Sequence, residues 1–163
     1  LLKKLNDAVT LFTALVLAFM TVMVMLQVIF RYVLSLPFPE SQELAVYAMV
    51  YVVTFGSSVA VYRKTHVAVS FFLDKFPDSV AFALRLFAYA AMSAFFILLV
   101  IYGWEISMRA MSQMSPSTGI PVGYVMVSIP ISSLISLLYV LAQCWQDVQG
   151  HLHPADAAAG KEG

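Results

Sequence analysis

Four stretches of this chain contain no Asp, Glu, Lys or Arg, and they constrain its fold more than any motif does. They are Ala8 to Phe30 (23 residues), Leu44 to Tyr62 (19), Leu86 to Trp104 (19) and Ala110 to Gln146 (37). A helix rises about 1.5 Å per residue, so roughly 19 to 23 residues span about 28 to 35 Å, the thickness of a bilayer's hydrocarbon core. The first three stretches are one span each. The fourth is too long for one helix, but Pro116, Gly119 and Pro121 break its first third and leave about Val122 to Cys144 as a span. With 61% hydrophobic and 11% charged residues, the chain lies far from the composition of soluble domains. The expected fold is all-α and integral to the membrane, with four transmembrane helices at about 8–33, 43–62, 83–105 and 122–145. Ala8 to Phe30 exceeds the roughly 7–15 apolar residues of a secretory signal and reads as a span. The chain opens on Leu1 rather than Met, so its N-terminal edge carries no argument.

The basic residues predict an orientation. With the N-terminus inside, Lys3, Lys4, Arg63, Lys64, Lys75, Arg85 and Lys161 face the cytoplasm, and only Arg31 and Arg109 fall in outer loops. Both termini are then cytoplasmic. Tyr32, Trp104 and Tyr124 fall at the outer interface, and Tyr62 and Trp145 at the inner one. Between spans two and three, His66 to Ser79 is too short to cross, yet it carries Val67, Val69, Phe71, Phe72, Leu73 and Phe76. Its apolar side chains need lipid and its charges need water, so a short amphipathic segment along the inner surface, about 66–78, is expected. Residues 1–149 form a single membrane domain in this reading, and the Ala- and Gly-rich stretch 150–163 is a disordered cytoplasmic tail.

The same residues exclude several functions. Nine basic residues balance nine acidic ones, which leaves no excess cation for nucleic-acid phosphates. The lone Cys144 forms no intramolecular disulfide and no thiol-redox or zinc-ribbon pair. Every charge lies at a span end or in a loop, so the chain alone provides neither a proton relay nor a buried substrate counter-ion. Haem ligation requires histidines within the spans, and His66, His151 and His153 all lie outside them. The pair His151 and His153 lacks a third metal ligand. No cofactor site is expected, and no nucleophile with its base, phosphate loop or metalloprotease motif is visible, so an enzyme is not indicated.

What remains is polar and small residues placed for packing. Gln27 and Arg31 share a face at the end of the first span. Arg31 should meet Glu40 and Glu43 across the first loop, and a structural ion pair fixing this hairpin is favoured over substrate contact. Gly56 and Ala60 form a small-xxx-small pair in the second span. Ser128, Ser132 and Ser136 repeat at every fourth position of the last span, a face that lets a helix approach closely. Spacing alone leaves open whether that helix is internal or another protein's. Pro130 should bend the last span or release a carbonyl from its helical ladder.

These residues resemble a known family, the small membrane subunit (DctQ-like, Q-type) of tripartite ATP-independent periplasmic (TRAP) transporters. The likeness runs from about Val24 to Leu141 and is densest from Glu43 through Val69. The family's Gln-x-x-x-Arg-Tyr is present as Gln27 to Tyr32. Its Trp-x-Glu-Glu-Leu-Ala start to the second span appears as Ser41-Gln42-Glu43-Leu44-Ala45, followed by the mid-span Gly56. Arg63 then precedes His66-Val67-Ala68-Val69. Ser115 to Pro121 matches the late Ser-Pro-x-x-Gly-Ile-Pro, with Tyr124 and Pro130 after it. The chain departs from the pattern at Glu40, in place of Trp, at Gln42, in place of the first Glu, and at Ser70, in place of Asp.

The resemblance implies a noncatalytic scaffold in the bacterial inner membrane. Its partners would be a large M-type membrane subunit, a periplasmic P-type substrate-binding protein and membrane lipid. The activity would be sodium-coupled secondary uptake of an organic acid such as a C4-dicarboxylate, sialic acid or another sugar or keto acid. The candidate structural or partner-facing residues are Gln27, Arg31, Glu43, Gly56, Arg63, His66, Pro121, Tyr124, Ser128 and Ser132. A stand-alone four-helix assembly factor or anchor makes the same packing demands and is the alternative. A small exporter also has four short spans, but its proton coupling calls for an embedded carboxylate.

Overall fold

The computed structural model describes residues 2–36, 38–73 and 78–152, and only the backbone of 64–73, 78–81 and 150–152. The described residues form α1 (Leu2–Tyr32), α2 (Pro39–Leu73), α3 (Asp78–Ala110), the single-turn α4 (Gly123–Met126) and α5 (Ser128–Leu152). Four helices, Leu2–Tyr32, Pro39–Arg63, Phe82–Ala110 and Gly123–Gln149, are long and apolar enough to cross a membrane. All four predicted spans are therefore present as helices, each running past at least one of its expected ends. The tail was expected to begin at Gly150, but α5 stays helical through Leu152; residues 153–163 lie outside the described residues. The expected interfacial segment enters the structure in part. Its first residues are the last turns of a continuous α2, and residues 74–77 lie outside those described.

Local chemistry explains where the helices begin and end. Pro39 opens α2, where a missing N–H costs nothing, with Glu40 in its first turn. The Ser41 hydroxyl donates to the Phe38 carbonyl at 2.8 Å. Past α1, Val33 and Leu34 donate back to the Ile29 carbonyl and Leu36 to that of Phe30, with Ser35 in the left-handed region at φ 53°. At Pro130 the expected bend takes a sharper form. Proline offers no N–H to the Met126 carbonyl, and the last span divides at Val127 into α4 and α5.

The helices stand in a row rather than a closed bundle. α1 packs on α2, α2 on α5, and α5 on α3, with α4 wedged chiefly against α3. Consequently only 6% of the first span's apolar window and 11% of the third's is buried, against 28% in the second and 44% in the last. Leu11, Leu15 and Met25 on α1 and Phe87, Phe95 and Ile101 on α3 are exposed. The α1–α2 seam is aromatic: Phe12 meets Phe55 edge-on with ring centroids 5.1 Å apart. The α3–α5 seam relies on small residues. A β-carbon on Gly103 would lie 3.3 Å from Pro130 Cδ, and Ser107, one turn on, is fully buried. Chain connectivity makes α1 and α2, and α3 and α5, antiparallel where they meet, while α2 and α5 run parallel. Gln143 near the end of α5 donates to the Tyr62 carbonyl at 3.2 Å, and Tyr89 near the start of α3 donates to Asp147 at 2.7 Å. This is the proximal end, where α1 begins and α5 ends; Arg31, Glu43 and the loop after α3 mark the distal end.

Candidate functional site

The densest polar construction among the described residues is at the distal end, around Glu43. This residue lies one turn into α2 and is aimed at the loop joining α3 to α4. One of its carboxylate oxygens accepts from the Tyr47 hydroxyl at 2.6 Å and from the Ser115 hydroxyl. The other accepts from the Thr118 backbone N–H at 3.0 Å. Thr118 also donates its own hydroxyl to Ser115 Oγ at 3.0 Å. The loop is shaped to meet this carboxylate. Ser115 N–H bonds to the Ile120 carbonyl and Gly119 N–H to that of Ser115, while Met114 and Pro121 pair across the neck. Closing the turn requires φ of +68° at Gly119, a left-handed conformation that glycine adopts without a Cβ clash. Two turns along α2 from Glu43, the Tyr51 hydroxyl donates to the Tyr124 carbonyl at 2.8 Å and pins the start of α4. The first turns of α2 therefore hold the distal loop through charge-assisted hydrogen bonds to Glu43 and a neutral one from Tyr51.

This geometry corrects the expected ion pair. Glu43 is engaged by Tyr47, Ser115 and Thr118, and Arg31 is exposed, with its guanidinium 5.9 Å from the Tyr32 ring centroid. Among the described residues the salt bridge is elsewhere, between Arg109 and Glu105 one turn apart on α3. The α1–α2 hairpin is instead joined at this level by Gln27, which donates weakly to Gln42 at 3.4 Å, and by the Phe30–Phe38 ring contact. The physical reason is reach: short hydroxyl and backbone donors from the distal loop lie directly over the Glu43 carboxylate, and Arg31 remains in solvent.

The other candidates divide into internal packing and open surface. Ser128, Ser132 and Ser136 are buried, and their hydroxyls donate back to the carbonyls of Val125, Ile129 and Ser132. The serine stripe therefore faces the chain's own helices, which settles the choice that spacing left open. Gly56 is half-buried, and a β-carbon there would meet only Thr13 Cγ2 of α1 at 3.9 Å, ordinary contact. Arg63 is exposed at the proximal end of the second span. His66 belongs to the α2 helix, and its side chain lies outside the described residues. Pro121 closes the loop neck, and Tyr124 contributes its carbonyl to Tyr51 while its ring stays exposed.

Several residues that matter here were not singled out from sequence. Tyr47 lies one turn from Glu43, a spacing that signals a shared face. Gly123 was legible only as a residue at the start of the last span, yet a β-carbon on it would fall 2.7 Å from the Met111 backbone nitrogen. The Tyr89–Asp147 and Gln143–Tyr62 bonds join residues far apart in the chain and carry no local signal.

A row of four helices long and apolar enough to cross a membrane, with one clamped loop, defines a multi-pass membrane component. Residues 20–150 match the family described as tripartite ATP-independent periplasmic transporters, DctQ component. The chain belongs to that family, the small membrane component of TRAP transporters. No curated protein matches it.

Proposed function

We propose that this chain is a noncatalytic scaffold for the large M-type subunit of a TRAP transporter. That assembly takes up an organic acid with sodium, delivered by a periplasmic P-type binding protein. The substrate class extends over C4-dicarboxylates, sialic acid and other sugar or keto acids, because the groups that read the acid belong to other chains. The reading further places the chain in the bacterial inner membrane with both termini cytoplasmic, consistent with the basic residues at the proximal end.

The open row is the observation that carries this reading. A self-sufficient transporter needs a polar path between its helices, whereas here the interhelical seams are filled with aromatic rings, glycine, proline and self-bonded serines. The outer helices meanwhile offer long apolar surfaces that no helix among the described residues covers. Such a unit is suited to extend the stationary part of a larger transporter, and the clamp at Glu43 keeps its distal loop fixed. Reconstitution tests this directly: liposomes holding this chain alone should take up no labelled organic acid, and those holding it with its large subunit and binding protein should show sodium-dependent uptake. Uptake by the chain alone would overturn the proposal.

A further inference from the structure

At the proximal end, between the start of α3 and the end of α5, lies a cavity of about 260 Å³. It is lined by Arg85, Tyr89, Cys144, Gln146 and Asp147, with Phe82, Leu86 and Val148 as apolar walls. Two of its features call for a ligand. Arg85 Nε is buried without a hydrogen-bond partner, an expensive state for a cationic donor. Asp147 shares the cavity but does not pair with Arg85; the Tyr89 hydroxyl holds Asp147 Oδ2 at 2.7 Å. The cavity thus contains one cation and one anion, held apart, each with capacity left over.

The geometry points to a zwitterionic phospholipid headgroup here, with its phosphate on Arg85 and its primary ammonium on the free side of Asp147. Charge selects the class, since a cavity with both signs disfavours a purely anionic ligand, and the guanidinium matches a phosphate's oxygens. Depth selects the source. Arg85 and Asp147 lie at the ends of the third and fourth spans, at the headgroup level of a membrane spanned by these helices. Leu86 in the wall is 46% exposed, and Trp145, next to Cys144 in sequence, is 67% exposed at the same level of α5, residues suited to acyl chains and the interface. The volume falls just below the roughly 300–1,000 Å³ of drug-sized sites and suits a headgroup with its tails left outside. Bound in this way, the lipid would tie α3 to α5 at the proximal end, beside the Tyr89–Asp147 bond that joins them.

Native mass spectrometry of the full chain in mild detergent, offered equal amounts of phosphatidylethanolamine and phosphatidylglycerol, tests the assignment. The wild type should retain phosphatidylethanolamine in preference, and millimolar inorganic phosphate should not displace it. Arg85→Gln should lower retention by about tenfold, the weight of one charge-assisted hydrogen bond. Arg85→Lys, which keeps the charge, should retain more lipid than Arg85→Gln. Asp147→Asn should abolish the preference for the ethanolamine headgroup while leaving total lipid retention largely intact. The proposal is overturned if Arg85→Gln holds as much lipid as the wild type or Arg85→Lys no more than Arg85→Gln. A wild-type preference for phosphatidylglycerol, or an Asp147→Asn preference unchanged from wild type, also overturns it. Displacement by inorganic phosphate would assign the cavity to a soluble anion and overturn the lipid source.

Discussion

The Glu43 carboxylate organises residues 72 and 75 positions further along the chain, at Ser115 and Thr118. Removing it should free the distal loop without touching the spans. Glu43→Gln is expected to lower the unfolding temperature in detergent by a few degrees and to expose the segment around Ser115–Ile120 to protease; an unchanged cleavage pattern would remove the clamp. Ser115→Ala and Glu43→Gln together should cost less than the two separate losses added, because both break one network. Arg31→Gln, in contrast, should leave stability within about 0.5 kcal/mol, as for other exposed positions whose contacts stay at the surface. A loss as large as that of Glu43→Gln would restore the hairpin ion pair. Both halves of the clamp were legible as separate motifs, Gln42-Glu43-Leu44-Ala45 and Ser115 to Pro121, but their contact was not. Sequence distance hid it, and the nearer Arg31 offered a plausible charge partner that the folded chain leaves in solvent.

At the level of helices, close approach is set by three glycines that the structure ranks. An added methyl at Gly56 would touch Thr13 at 3.9 Å, at Gly103 it would press on Pro130 at 3.3 Å, and at Gly123 it would collide with Met111 at 2.7 Å, backbone nitrogen included. Replacement by alanine should therefore be near neutral at position 56, destabilising at 103 and most damaging at 123, where the overpacking cost of about 1–3 kcal/mol applies in full. Thermal unfolding of the three variants in one detergent checks the order, and a Gly56→Ala loss exceeding that of Gly123→Ala would refute it. The spans themselves were readable because absence of charge over 19 or more residues has few structural meanings. Which way a helix face points was not. Ser128, Ser132 and Ser136 carry the spacing of a packing stripe, but spacing is the same whether the neighbour is α2, α3 or another protein. Pro130 signals a bend or a carbonyl released from the helical ladder, and the loss of one N–H so near the span's start separates a whole turn as α4.

Across the whole molecule, the arrangement in a row is the feature that sequence hid most completely. In a membrane helix both lipid-facing and protein-facing sides are apolar, so the sequence of α1 does not say that it touches mainly α2. The row gives the chain two broad faces, and the account rests on one of them being covered by another subunit. Its orientation is tested by a reporter active only in the periplasm, which should stay silent when fused after Asp147; activity there would invert the topology. The most direct test is affinity purification of the chain from its native membrane in mild detergent, with mass identification of what remains bound. The scaffold account predicts a large, many-span membrane protein in stable stoichiometry. A chain that comes out alone, folded and stable would contradict it.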